Sequence, residues 1–218
     1  MRFVPTIAAV AFTLLGACSS AQSSPPAAPQ NPSPLAASAA GQVAEPGKPA
    51  PDFTLTDVDG AAVTLSALKG KTVVLEWFNP DCPFVEYAYD KAGLADVSRA
   101  WAGKGVEWLV INSNKPGSQG SGVGTNREAR EDWKLAPRVF LDETGAVGRA
   151  YGAKTTPQMV VVGPDGNVAY IGAYDNAPLG NAEGGAKRAY TEEVLAAVTT
   201  GQPAPFARQK PYGCSVKY

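Results

Sequence analysis

Three cysteines and no histidine among 218 residues narrow the available chemistry at once. Without an imidazole there is no histidine base for a serine or cysteine triad, no histidine metal site and no histidine pH switch. What remains is sulfur. Cys82 stands in Asn79-Pro80-Asp81-Cys82-Pro83, where an apolar run gives way to a helical pattern, and Pro83 suits a first helical position because its missing N–H is not needed there. A cysteine that opens a helix faces unpaired N–H groups and the positive end of the helix dipole, which favour thiolate, the form that attacks disulfides. Cys214, near the C-terminus, is the other thiol available to it. The two allow one intramolecular pairing, and that pairing has two uses. In one, Cys82 attacks a partner's disulfide and Cys214 resolves the mixed disulfide. In the other, a permanent Cys82–Cys214 bond pins the C-terminal tail and stabilises by about 2–4 kcal/mol. Glu76, six residues before Cys82, adds a carboxylate inside an apolar run. Desolvation there raises its pKa and suits it to move a proton at a sulfur; the plainer alternative is a glutamate that reaches the surface and pairs with Lys71.

These residues need elements to position them. Pro51 to Thr56 alternates as a half-buried strand, Asp59-Gly60 supplies a hairpin turn and Ala62 to Leu65 returns. Val73 to Phe78 is a β-branched and aromatic run of the central-strand type, with Trp77 and Phe78 expected in the core. Beyond Cys82, Tyr87, Leu94 and Trp101 recur every seven residues with Val97 between them, which predicts one buried helix stripe despite Gly93. Val106–Ile111, Arg138–Leu141, Met159–Val162 and Val168–Ile171 read as further strands, the last two joined by a Pro164-Asp165-Gly166 turn. Helices are predicted over 127–134, 146–151 and 186–199, and the chain closes in an irregular tail. The glycine-rich stretch 117–124 fits no phosphate or dinucleotide fingerprint and reads as a flexible surface loop near the Cys82 end of the sheet. Strands alternating with helices, then a hairpin and a helix, describe an α/β architecture around a mixed sheet.

The remaining cysteine belongs to a different context. Met1-Arg2 precedes an uncharged apolar run from Phe3 to Leu15, shorter than the ~20 residues a spanning helix needs and suited to a signal-peptide core. Leu15-Gly16-Ala17-Cys18 resembles the lipobox of bacterial lipoproteins, which implies cleavage after residue 17 and a lipid on Cys18. Residues 18–46 are rich in Ala, Ser and Pro and bury too little apolar surface to fold, so they are expected to form a tether. Ser19 after the cysteine implies, by the same resemblance, an outer-membrane anchor with its domain facing the periplasm. Residues 47–218 then form one domain with a single core. Nineteen basic residues against 20 acidic ones give no field to attract nucleic acid.

The order of a strand, Cys82-Pro83-Phe84-Val85, a helix, then Thr155-Thr156-Pro157 before a strand and a Pro-Asp-Gly hairpin resembles the thioredoxin fold. Gly47-Lys48-Pro49-Ala50-Pro51-Asp52-Phe53 is similar to the start of its redoxin branch, the peroxiredoxins and tethered thioredoxin-like reductases. The resemblance implies a mixed sheet flanked by helices with an N-terminal β-hairpin extension. It also implies a cis Thr156-Pro157 bond beside the reactive sulfur, substrate contact at Pro83, Thr156 and Pro157, and a buried carboxylate at Glu76. Activity would be thiol–disulfide exchange on protein thiols and disulfides of the periplasm, with no cofactor and no metal. Val85 stands where thioredoxins carry their second cysteine, so a neighbouring thiol cannot resolve the reaction. Peroxiredoxins carry a threonine or serine three residues before the peroxidatic cysteine and a proline seven before it; here these positions are Asn79 and Leu75, which argues against a peroxidase. Two other classes stay open: a non-catalytic binding module with a structural disulfide, and a copper(I) chaperone using Cys82, Cys214 and Met159.

Overall fold

The computed structural model describes residues 43–218; the apolar run, the lipobox with Cys18 and most of the proline-rich tether lie outside the described residues. Among the described residues, nine strands and five α-helices follow in the order β1 (Thr54–Asp57), β2 (Ala62–Thr64), β3 (Val73–Trp77), α1 (Pro83–Asp90), α2 (Leu94–Ala102), β4 (Glu107–Asn112), α3 (Val123–Asp132), β5 (Arg138–Leu141), α4 (Ala146–Ala150), β6 (Thr155–Thr156), β7 (Gln158–Val162), β8 (Val168–Gly172), α5 (Tyr190–Val198) and β9 (Cys214–Ser215). Seven strands make one sheet in the order β2-β1-β5-β4-β3-β7-β8. β3 lies near its middle, parallel to β4 and antiparallel to β7, and every residue of β3 is buried. This is the thioredoxin-like fold, and the β1–β2 hairpin extends the sheet beyond β5 through an antiparallel pairing of β1 with β5.

Alternation along β3 divides the core in two, because successive side chains point to opposite faces. Val74 and Phe78 join one cluster with Cys82, Val85 and Tyr89, Leu94 and Trp101 of α2, Ala129 of α3 and Val194, Leu195 and Val198 of α5. Val73, Leu75 and Trp77 join the other, with Val147 of α4, Tyr151, Phe53, Ala44 and Val216 of the tail. Trp77 and Phe78 are both fully buried core residues.

The stripe predicted as one helix is two. Gly93, at φ 75°, takes a left-handed conformation at the N-cap of α2, and the chain turns there while both helices stay on one face of the sheet. The stripe survives the break, which is why its seven-residue spacing read as continuous. The last helix starts at Tyr190, after the predicted 186, because the Asn176 side chain holds the preceding backbone in another shape: it accepts the Arg188 N–H and donates to the carbonyls of Glu183 and Ala186. The tail, expected to be irregular, forms β9 and pairs with β6 in a two-stranded ribbon outside the main sheet.

Candidate functional site

β3 runs out at Asn79-Pro80-Asp81, where the Asn79 side-chain oxygen accepts the Asp81 N–H at 3.0 Å and the Asn79 carbonyl accepts the Cys82 N–H at 3.1 Å. That turn aims the chain into α1. Cys82 is its N-cap and Pro83 its first residue, and the Cys82 carbonyl accepts the N–H groups of Val85 and Glu86. The Cys82 side chain does not cap the helix; its Sγ donates to the Thr156 carbonyl at 3.2 Å. Thr156-Pro157 is a cis peptide bond, in the place the resemblance implies for it.

Cys214 arrives from the far end of the chain. β9 pairs antiparallel with β6 so that Cys214 stands opposite Thr156, the residue whose carbonyl holds Cys82. The two thiols stand side by side and interact. Burial is the main cause that pushes the Cys214 thiol up to about 11; the Cys82 thiol adds to this, and Lys217 and the Phe84 N–H oppose it. Deprotonation of Cys214 therefore extends above the ordinary thiol range. Iodoacetamide labelling of reduced Cys214 should keep rising, by about tenfold per pH unit, from pH ~7 to ~10, where an ordinary thiol levels off near 8.5. Peptide mass spectrometry of Cys214 over a pH series checks this, and a plateau below pH ~9 contradicts it.

The approach of β9 has a geometric condition at Gly213. Its φ is 129°, and a Cβ built there falls 2.0 Å from the Thr156 oxygen. On either side the tail is fastened. Before Cys214, the Tyr212 hydroxyl donates to Asp175, and the Tyr212 ring lies 5.9 Å from that of Phe84. After it, the Lys217 N–H donates to the Asn114 side chain, the Lys217 carbonyl accepts the Lys115 N–H, and the Tyr218 hydroxyl donates to the Ala153 carbonyl.

The glycine-rich loop lies at the Cys82 end, as expected, but it is built in. Asn112 and Asn126 both donate to the Gly120 carbonyl, Asn114 to that of Gln119, and Gln119 donates to the Asp81 carbonyl next to Cys82. Gly120 closes over Asn79 so tightly that a Cβ would lie 1.9 Å from the Asn79 oxygen. The φ of 71° adds backbone strain for any other residue, so Gly120→Ala should destabilise by about 2 kcal/mol in urea titration. A midpoint unchanged from wild type would contradict that. The asparagines that bracket the loop are its signal in the sequence, an ambiguous one because asparagine also favours unconstrained turns.

Glu76 is fully buried between α1 and β4. The Tyr89 hydroxyl donates to one of its oxygens at 2.7 Å and the Trp108 indole N–H to the other at 2.8 Å. Burial pushes its carboxyl up to about 7 against the pull of those two donors. Lys71 is elsewhere: its ammonium meets Glu107 at 2.6 Å, so the alternative of a surface pairing with Glu76 does not form. Of the residues expected to touch substrate, Pro83 is exposed, whereas Thr156 and Pro157 are buried and the strand edge of Thr156 is taken by the chain's own tail. Among the described residues no group of three or more His, Cys, Asp or Glu side chains is gathered to hold a metal.

A model of the AhpC/TSA family matches residues 46–171. The chain belongs to that family. The AhpC/TSA match takes in Cys82, Glu76 and the cis proline and stops before the tail that carries Cys214. Peroxiredoxin Q of rice, Oryza sativa subsp. japonica, is 28% identical over 137 residues, 60% of this chain and 58% of the relative, so the chain spans less than two thirds of that protein. The thiol-disulfide oxidoreductase ResA of Bacillus cereus is 25% identical over 131 residues, 57% of this chain and 67% of the relative. Among solved structures, an uncharacterized conserved protein of Geobacillus kaustophilus superposes with TM-score 0.70 at 29% identity, covering 79% of this chain and 91% of its own. A hypothetical protein of Sinorhizobium meliloti does so with TM-score 0.70 at 25% identity, over 79% and 93%.

Proposed function

We propose that this AhpC/TSA-family chain is a thiol–disulfide oxidoreductase whose exchanging pair is Cys82 and Cys214, working on protein thiols and disulfides in the periplasm while tethered to the outer membrane through a lipid on Cys18. One observation carries the chemistry: a tail from the far end of the chain delivers Cys214 to a sulfur at the start of α1, beside the Thr156 carbonyl. It supplies the second thiol that Val85 does not, and two adjacent thiols are what a two-electron exchange needs: the dithiol gives two electrons to a partner disulfide and becomes Cys82–Cys214. No cofactor takes part. A second reading has its own support, since the fastenings on both sides of Cys214 are what a permanent staple would use.

The reduction potential of the pair separates the two. Equilibration in glutathione buffers, read by thiol trapping and mass, should place a working dithiol above about −200 mV, and a value below about −300 mV marks a staple. A fast loss of the Cys82 thiol on addition of hydrogen peroxide would favour a peroxidase instead. The anchor is tested separately: labelled fatty acid should appear on the wild-type chain in cells and vanish from Cys18→Ser.

A further inference from the structure

Resting on the exchange reading, we propose that Cys214 is the sulfur that bonds to the partner and that Cys82 is the buried thiol behind it, an order opposite to the one the position of Cys82 at the helix start suggests. The argument begins with access. Cys82 has no exposed surface, and its Sγ faces the Thr156 carbonyl. Cys214 is the partly exposed member of the pair.

What covers Cys82 is held in place. β9 lies on β6 with Gly213 packed against the Thr156 carbonyl, too close for even one added carbon. The fastenings at Tyr212, Lys217 and Tyr218 hold the tail before and after Cys214. A partner that reached Cys82 first would have to strip this ribbon, including the pairing that puts Cys214 within range to resolve it. A partner that reaches Cys214 first meets the partly exposed member of the pair while the β6–β9 ladder is still in place. Burial and the Cys82 thiol raise the Cys214 thiol, and Lys217 and the Phe84 N–H offset only part of that rise, so the order rests on access and not on the population of thiolate.

The exchange balances in either direction. In the reducing direction the Cys214 thiolate attacks a partner disulfide, forming Cys214–S–S–partner and releasing one partner thiolate, which takes up a proton. The Cys82 thiol then loses its proton and attacks Cys214 Sγ, the mixed disulfide breaks, and the second partner thiolate leaves. Two electrons pass to the partner, and the chain ends as Cys82–Cys214. In the oxidising direction a partner dithiol runs the same steps in reverse, entering at Cys214 with Cys82 as the leaving sulfur.

The test uses the reduced full chain and glutathione disulfide as probe. In Cys82→Ser, the mixed disulfide at Cys214 should form roughly tenfold or more faster than the one at Cys82 forms in Cys214→Ser, read by intact mass over time. In the wild type, acid quenching at short times followed by peptide mapping should find glutathione on the peptide with Cys214; this arm does not depend on how either variant folds. Glutathione first on Cys82, or equal rates in the two variants, overturns the assignment. The wild type also tests the underlying reading, because an exchanging dithiol releases two glutathiones per chain. Release of two with the label on Cys82 defeats only the order of the sulfurs, and release of none defeats exchange itself.

Discussion

Gly213→Ala should leave the seven-stranded sheet intact and pull the two thiols apart. A Cβ at this position lies 2.0 Å from the oxygen of Thr156, 2.7 Å from its carbonyl carbon and 3.3 Å from the Pro157 nitrogen. All three are backbone atoms, so no rotamer relieves the contact, and φ at 129° is strained for any side chain. The strand that yields is β9, which makes only a two-residue ladder outside the main sheet. Movement of β9 carries Cys214 away from its station opposite Thr156, and with it away from Cys82. A penalty of about 1.4–2.8 kcal/mol on the closed arrangement lowers the equilibrium constant for the Cys82–Cys214 disulfide about ten- to a hundredfold. For a two-electron couple this raises its potential by about 30–60 mV. The same titration in glutathione buffers measures it, with near-UV circular dichroism reporting on the aromatic core around Trp77 and Phe78. A variant with the wild-type potential would mean that the ribbon does not set the distance between the thiols.

The contrast between Gly213 and Cys82 shows what the sequence can carry. Cys82 announces itself locally: an apolar β-branched run, a break at Asn79-Pro80, then a proline suited to a first helical turn, all within a dozen residues. The central strands are legible for the same reason, since a strand buried on both faces is a continuous apolar run wherever it occurs. The β6–β9 ribbon has no such local mark. Its two strands are two residues each and far apart in sequence, and Gly213 matters only because the Thr156 carbonyl is there to be met. Gly93 was hard to read for a different reason: α1 and α2 pack on one face, so the apolar spacing continues through a break in the backbone. Lys71 and Glu76 are close enough in sequence to suggest an ion pair, but the parallel register of β3 and β4 sets Val73 opposite Glu107, and Lys71 finds that carboxylate. The offset of Glu76 from Cys82 could be counted; its partners Tyr89 and Trp108, from α1 and β4, could not.

Those partners lead to the second large effect, in the dependence of stability on pH. The Glu76 carboxyl stands at about 7 in the folded chain against 4.5 for the ordinary group. Between these values the folded chain binds a proton that the unfolded chain has released, so stability falls as pH rises through the window and levels off above it. Across the full window the loss is on the order of 3 kcal/mol, at about 1.4 kcal/mol per pH unit where the slope is steepest. Asp142, also raised by burial, adds a loss of the same sign, so the informative quantity is the difference from a variant. Glu76→Gln keeps an oxygen for the Trp108 N–H and offers an amide donor to the Tyr89 hydroxyl, which can rotate to accept it. Urea titrations from pH ~5 to ~8 should show the variant gaining on the wild type by about 2.5 kcal/mol as pH rises, and parallel profiles would defeat the account. The same variant decides whether Glu76 acts on the sulfurs. Its two hydrogen bonds go to Tyr89 and Trp108 and neither reaches a thiol. If Glu76 nonetheless exchanges protons with the pair, the rate of reaction with glutathione disulfide has an inflection near pH ~7 that Glu76→Gln removes. If its carboxyl only holds α1 against β4, the rate profile is unchanged while the stability profile flattens, and both can be read on one preparation.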